Sequence, residues 1–451
     1  MIDIQLLRDN PDLVRQKSAE KQVEVDVEKI LSLDNSFREL LGQVESLRQK
    51  RNEISAQMKD GKPNQELIDQ GKQLKVELAD RENLLQKSEE ELNLLLYQIP
   101  NIALDHVPVG ETEEQNIITK TIGEKPEFGF KPRTHWEIAE MHDLFDKERA
   151  AKISGSRFVY LKGGLVRLQF AIVQYVMETL GDPEILQKII DDNGLKLSSK
   201  PFTPVLPPAM LKTEPYVASA RLNAADVTYK LEGDDLWLNA SAEHTLCTMY
   251  WNEILPEEDL PIRYIGYSTS FRREAGTYGK DTEGIIRLHQ FDKLEMEVFS
   301  TAETGLEEHK LLIAIQEYLM QQLKITYNFI QKCTADIGKP NASGIDIDAW
   351  FPGQGRFIET HTADYMTDYQ ARDLKIRTRR MILAPEVESS DIKDVDPSKY
   401  GSKVQLVHTN DATAFAMSRI LAAIMENYQN EDGSVRIPQV LQTYLGGRQT
   451  L

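Results

Sequence analysis

Cysteine is nearly absent from this chain. Only Cys247 and Cys333 occur among 451 residues, without a CxxC or Cys/His ligand spacing, which argues against a disulfide framework and against a structural zinc site. A reducing compartment is expected. Long apolar runs are missing as well: no stretch of about 18 or more apolar residues occurs. Met1-Ile2-Asp3-Ile4 lacks the basic start and apolar continuation of an export signal. Neither a membrane span nor secretion is expected, and the cytoplasm is the predicted location. Positive charge is in deficit, with 53 Lys and Arg against 72 Asp and Glu and a formal net charge of −19. That balance excludes a uniformly basic surface for nucleic acid, because phosphate contacts come from Lys and Arg. It leaves room for a local patch.

What the chain does have is length, long-range periodicity and paired arginines. At 451 residues it exceeds one average domain, so two or three folded units are expected. Hydrophobic residues at 41% and charged residues at 28% are globular values with enough charge for one long solvated element. From Ile30 the apolar positions Leu33, Phe37, Leu40, Val44, Leu47, Ile54 and Met58 follow steps of three and four, with Arg51 in one seam position. This is a heptad pattern. After the turn-forming cluster Asp60-Gly61-Lys62-Pro63-Asn64 the spacing resumes at Leu67, Leu74, Leu78, Leu85, Leu92 and Leu95. Two helices and one turn predict an antiparallel coiled-coil hairpin over about residues 28–98, roughly 45 Å long. It ends at Ile99-Pro100-Asn101, where proline cannot continue the helical ladder. Seven basic residues stand toward its tip: Arg48, Lys50, Arg51, Lys59, Lys62, Lys72 and Lys75, against four acidic ones in the same stretch. A solvated helix face and a phosphate-binding patch are equally compatible with that segment alone.

Residues 107–115 read as a linker. Beyond them short β-rich runs, such as Phe158 to Leu161 and Leu294 to Phe299, mix with helical stretches at Leu165 to Leu180 and Ala412 to Gln429. Without strict strand–helix alternation the expected class is α+β, an antiparallel sheet with flanking helices. The domain division expected is 1–112 for the helical arm and 113–451 for a catalytic domain.

The segment Phe271-Arg272-Arg273-Glu274 leads through a Gly-containing loop to Arg287-Leu288-His289-Gln290-Phe291-Asp292-Lys293-Leu294-Glu295. Two arginines, an aromatic and carboxylates on neighbouring strands are the parts needed to clamp a triphosphate, stack a base and hold an amine. Taken singly, each reads better as a surface ion pair or a core residue. Further on, Asn410-Asp411-Ala412-Thr413-Ala414-Phe415-Ala416-Met417-Ser418-Arg419 places a lone arginine among small residues, where burial would require an anionic partner.

In this order these segments resemble the class II aminoacyl-tRNA synthetases, and among them the seryl-tRNA synthetase family. Phe271 to Glu274 resembles motif 2, Arg287 to Glu295 the strand that follows it, Asn410 to Arg419 motif 3, and Val205-Leu206-Pro207-Pro208 the proline strand of motif 1. The resemblance implies a class II antiparallel sheet behind an N-terminal coiled-coil arm. It implies a homodimer that activates L-serine with ATP and magnesium, then transfers it to tRNA(Ser). For ATP it implies Arg272 at the α-phosphate, Glu274 and Phe291 at adenine, Arg287 and Arg419 at the γ-phosphate, and Leu288 through its backbone. Glu359 and Thr362 match the magnesium and ATP ligands. For serine it implies Ser241, Glu243 and Glu295 near the ammonium, Arg272 at the carboxylate, Thr413 at the hydroxyl, and Asp411 beside them. The arm's basic residues would meet the tRNA.

Departures from the family pattern cluster around the amino acid. Ser241 replaces Thr, Asp411 replaces Asn, Thr362 replaces Ser, and residues 219–230 stand where a Gly-Thr-Gly-Gln-Leu stretch is expected. Asp411 has two readings: a contact to the substrate hydroxyl, or a salt bridge or helix N-cap ahead of the motif 3 helix. The alternatives for the whole chain are a paralogue with altered amino-acid or acceptor specificity, such as an amino acid:carrier-protein ligase, and a non-catalytic RNA-binding dimer.

Overall fold

The computed structural model of the protein describes residues 1–60, 65–222, 227–274, 283–383 and 400–451. Two compact units are present, Met1–Ile102 and Ala103–Leu451.

In the first unit the heptad pattern becomes two long helices, α1 (Val27–Asp60) and α2 (Gln65–Leu96). Val44, Leu47, Leu74 and Leu78 are buried between them, with Ile54 and Leu85 packed against that seam. A Cβ on Gly71 would lie 3.4 Å from the Met58 methyl, and Arg48 reaches Glu82 at 2.8 Å. Rising numbers on one helix meet falling numbers on the other, so the pair is antiparallel. At the base, the buried Asp34 carboxylate accepts from Arg8 at 2.6 and 2.8 Å and meets Arg38 at 3.2 Å. Arg51, at the polar seam position, is exposed, so a charge there costs little burial. The turn at 61–64 lies outside the described residues.

The second unit is organised by eight strands: β1 (Ile117–Ile122), β2 (Thr203–Val205), β3 (Ile262–Phe271), β4 (Gln290–Ser300), β5 (Tyr327–Gln331), β6 (Ser343–Phe351), β7 (Arg356–Thr367) and β8 (His408–Ala416). Their order is β1-β5-β6-β7-β8-β4-β3-β2. Every pairing is antiparallel except β2 with β3. The parallel exception is the proline strand, which ends before Pro207. Helices α3 (Gly163–Gly181), α4 (Gly305–Leu323) and α5 (Met417–Asn427) supply much of the apolar cover of the sheet. Along β4, Leu294, Met296 and Val298 enter the hydrophobic core, and alternation sends Phe291, Lys293, Glu295 and Glu297 to the opposite face. The polar site is therefore one layer of sheet away from the core. The expected linker is docked rather than loose: Val107 packs with Ala103 and Ile337, and Gly110 N donates to Thr334 Oγ1 at 3.1 Å.

Two local expectations are corrected. Residues 412–429 are not one helix, since β8 runs to Ala416 and α5 begins at Met417. Ala412 and Ala414 read as helical by composition, but within a buried sheet a small side chain lets a helix approach, and Gln316 of α4 reaches the Thr413 carbonyl at 2.8 Å. A bulge between Thr413 and Phe415 turns Phe415 into the core. Asp411 accordingly lies in a strand and caps no helix. Likewise only Tyr160–Leu161 of the run from Phe158 is strand.

One buried ion pair holds β3 to α4. Arg263 meets Glu308 through Nε and Nη2 at 2.9 and 2.8 Å, both side chains fully buried, and Arg263 Nη1 also donates to the Ser198 and Lys200 carbonyls. Glu308→Ala strands that guanidinium in a low-dielectric interior. A stability loss of about 3–5 kcal/mol is expected, read from urea unfolding; a loss below about 1 kcal/mol would mean that water reaches Arg263.

Candidate active site

The two motif 2 strands, β3 and β4, are hydrogen-bonded neighbours with Phe271 opposite Gln290. Their extensions remain paired beyond the sheet, as Arg272 N donates to the His289 carbonyl at 2.9 Å and His289 Nδ1 lies 2.8 Å from the Arg272 carbonyl. Arg272 and Glu274 on one extension thereby come to face Arg287 and Leu288 on the other. A single cleft is lined by these four residues together with Phe291, Glu359, Thr362, Thr413 and Arg419. All eight residues expected to hold ATP are on it. The loop segment 275–282 lies outside the described residues.

Within the cleft the arginines are held in fixed directions. Arg272 donates to the Ala240 carbonyl at 3.1 Å, and its guanidinium lies 5.3 Å from the centre of the Phe291 ring. Arg287 meets Glu274 at 3.1 Å. Arg419, at the first turn of α5, reaches Glu359 of β7 through its carbonyl at 2.7 Å and its carboxylate at 2.9 Å. Partial desolvation against the cleft wall would raise the Glu359 pKa, but Arg419, Lys332 and Arg272 outweigh it and hold the group below the usual carboxylate range. The result is three guanidinium groups around one cleft, with an aromatic face beside the first.

Beneath the cleft the expected serine ligands gather around a cation that sequence reasoning assigned no role. Lys293 Nζ donates to Ser241 Oγ at 2.9 Å and lies 2.6 Å from Glu295 and 3.8 Å from Glu243. Thr413 Oγ1 donates to Glu295 Oε1 at 3.4 Å. Period-two alternation along β4 from Phe291 to Glu295 was the available signal, because it puts Lys293 on the same face. Burial, with Glu243 and Asp411 nearby, pushes the Glu295 carboxyl well up despite Lys293.

Asp411 is paired with a second unforeseen residue, the Arg221 guanidinium, in a mostly buried ion pair. Burial, reinforced by Glu243 and Asp364 and opposed by Arg221, raises the Asp411 carboxyl to about 7. Asp364, Asp411 and Glu297 stand directly opposite one another on β7, β8 and β4. Both oxygens of Glu297 are buried and accept no hydrogen bond, and burial beside Asp411 pushes its pKa well up. A third cation, Lys332, reaches Thr362 Oγ1 at 2.9 Å, Asp364 at 2.9 Å and Asp346 at 3.3 Å. Its path requires a glycine at 344, where a Cβ would come within 2.3 Å of Lys332 Cε. Thr362 Oγ1 thus accepts from the Lys332 ammonium, and its hydroxyl also bonds the Asp346 carboxylate.

Residues 1–103 match the family model described as the seryl-tRNA synthetase N-terminal domain, and residues 228–388 match the tRNA synthetase class II core domain (G, H, P, S and T). The serine–tRNA ligase of Pyrococcus horikoshii is 37% identical over 474 aligned residues, covering 99% of this chain and 96% of the relative. The chain belongs to the seryl-tRNA synthetase family. Another member, the serine–tRNA ligase of Exiguobacterium sibiricum, is 35% identical with full coverage of both chains. Among solved structures, the P. horikoshii seryl-tRNA synthetase complexed with ATP superimposes with a TM-score of 0.80 at 35% identity, covering 100% of this chain and 99% of that one. The cytoplasmic serine–tRNA ligase of Naegleria fowleri in complex with AMP gives 0.79 at 28% identity, covering 100% and 98%. Family membership spans both units, so the coiled-coil arm and the class II sheet are those of a seryl-tRNA synthetase.

On the arm, the described basic residues of this family member are exposed. Arg48 is paired with Glu82 and Lys72 lies 3.8 Å from Asp69, while Lys50, Arg51 and Lys75 point to solvent-facing positions. The Lys59 side chain and Lys62 lie outside the described residues. Among the described residues no helix is long and apolar enough to cross a membrane, and both cysteines are buried and free.

Proposed function

We propose that the chain is a cytoplasmic serine–tRNA ligase that forms seryl-adenylate from L-serine and ATP and transfers serine to the 3′ end of tRNA(Ser). The observation that carries this reading is the convergence of Arg272, Arg287 and Arg419 with Phe291 on one cleft. In-line attack of a carboxylate on the α-phosphorus needs no protein nucleophile; it needs positioning and neutralisation of charge. Arg272 would bridge the carboxylate and α-phosphate. Phe291 and Glu274 would hold adenine, with Arg287 and Arg419 at the far phosphate.

Magnesium fits as an ion that arrives with the nucleotide. Among the described residues no group of three or more His, Cys, Asp and Glu side chains is arranged to hold a metal alone. Glu359, at the cleft and half exposed, suits the one-carboxylate-plus-phosphates mode of magnesium. Bound there, the ion would neutralise phosphate charge. Thr362, on the same strand as Glu359 and lining the same cleft, would sit at the magnesium and phosphate end of the nucleotide.

For serine, Glu295 and Ser241 would take the ammonium and Thr413 the hydroxyl. We expect exchange with serine to exceed that with alanine strongly, because a site built to bond a hydroxyl leaves buried polar groups unpaired without it. Threonine should be rejected less sharply, by about 1–3 kcal/mol for one methyl. ATP–pyrophosphate exchange with serine, threonine, alanine, cysteine and glycine tests this, on wild type and Asp411→Asn. The Arg221–Asp411 pair and the acidic row beside it favour a second reading, in which amino-acid specificity is altered while the ATP chemistry is retained; preference for another amino acid would select it.

The homodimer is part of the proposal. Leu206 is 77% exposed just beyond the edge strand β2, an apolar group that a second copy would cover. Light scattering should give twice the chain mass, and a monomer would remove the dimer.

A further inference from the structure

At the C-terminal end of α5, two turns and roughly 10 Å from Arg419, Glu426 is completely buried. Its carboxylate accepts from five donors. Oε1 takes His135 N at 3.1 Å, His135 Nδ1 at 2.8 Å and Gln354 Nε2 at 3.1 Å, and Oε2 takes Gly353 N at 2.9 Å and Gln354 N at 3.3 Å. His135 is equally buried and opens the helix His135–His142, whose start is set by a capping box between Thr134 and Glu137. Its other ring nitrogen, Nε2, lies 3.1 Å from Ile285 N. A backbone N–H can only donate, so Nε2 is the acceptor and the ring proton sits on Nδ1, donated to Glu426.

This chain of bonds ends two residues from Arg287. Close packing supports it independently: a Cβ on Gly284 would fall 1.9 Å from His135 Nε2, and one on Gly353 would fall 2.2 Å from the Arg133 carbonyl. Residues 353–354 form the turn between β6 and β7, and β7 carries Glu359. One buried carboxylate thus ties together the three elements that bring Arg287, Glu359 and Arg419 to the cleft.

We propose that Glu426 and His135 are positioning residues for the triphosphate end of the nucleotide, fixing Arg287 relative to Arg419 without touching the substrate. The proposal rests on the assignment of those two arginines to the phosphates. Displacing one of them by about 1 Å weakens a charge-assisted contact whose geometry is demanding, and serine, bound at the other end of the cleft, is unaffected.

The test is pyrophosphate exchange on full-length His135→Asn, His135→Gln, Gly284→Ala and Arg287→Ala. Asparagine keeps a donor for Glu426 but has no acceptor at the Nε2 position, whereas the glutamine oxygen reaches it. His135→Asn is expected to raise KM for ATP about tenfold while KM for serine stays within about twofold. His135→Gln, which restores the acceptor for Ile285 N but not the Nδ1 donor to Glu426, should regain only part of the loss, and Gly284→Ala, which displaces the chain while leaving both buried partners in place, should repeat the asparagine result even if His135→Asn fails to fold. An unchanged KM for ATP in the folded variants, with Arg287→Ala raising it, overturns the proposal alone. A parallel rise of both KM values overturns it in favour of a purely structural role. If Arg287→Ala itself leaves KM for ATP unmoved, the phosphate assignment fails and the proposal with it.

Discussion

Replacing Arg272 or Arg419 with alanine is expected to lower serine-dependent pyrophosphate exchange by about a hundredfold or more. Each change removes a charge-assisted contact in a partly desolvated cleft, worth roughly 3 kcal/mol where charge develops in the transition state. The two should differ in character. Arg272 touches the Ala240 carbonyl and stacks near Phe291, so its loss disturbs the proposed adenine platform as well as the proposed α-phosphate contact, and kcat should fall along with a rise in KM for ATP. Arg419 is balanced by Glu359, so Arg419→Ala also leaves a carboxylate facing the phosphates. Arg419→Lys should recover only part of the activity, since an ammonium can replace Nη1 against the Glu359 carbonyl and carboxylate but lacks the second guanidinium nitrogen that would reach a phosphate. Near-normal exchange in either alanine variant would remove that arginine from the chemistry.

Deleting residues 35–91 and reclosing the chain is expected to abolish most tRNA charging while pyrophosphate exchange stays within a few-fold of wild type. The deletion removes the hairpin seam but keeps Asp34, whose carboxylate is tied to Arg8 in the base of the arm unit. Everything on the adenylate-forming cleft lies in Ala103–Leu451, a unit with its own hydrophobic core. The arm, in turn, offers exposed cations and none of the cleft residues. Charge reversal at Lys50 or Lys75 should lower the slope of log affinity against log salt by about one unit for each tRNA phosphate that is no longer neutralised. Full-rate charging by the armless protein would assign the hairpin to another purpose.

Much of this molecule was readable from local pattern. The heptad run from Ile30 to Met58 needed only local spacing, because a helix repeats every 3.6 residues whatever it packs against, and its positions Val44 and Leu47 are buried where the pattern placed them. The motif 2 pair was readable because Phe271 to Glu274 and Arg287 to Glu295 are close in sequence and joined by a single hairpin. Misreading residues 412–416 as helix has a plain cause. Alanines at 412, 414 and 416 suit either state, and burial on both faces of a central strand erases the polar alternation that would have marked it.

The sequence by itself determined the arm, most of the elements and, through the family resemblance, the set of residues that line the cleft, since each depends on a short-range period or a motif within a few turns of chain. The tertiary structure alone decided who pairs with whom. Lys293 rests among Ser241, Glu243 and Glu295, Arg221 meets Asp411 from 190 positions away, and His135 links Glu426 to Ile285. These partnerships follow from the registers of β4, β7 and β8 and from the turns that meet above them. A buried charge is stable only beside its counter-charge, and which counter-charge lies within about 3 Å is a property of strand register and helix placement that no local pattern encodes.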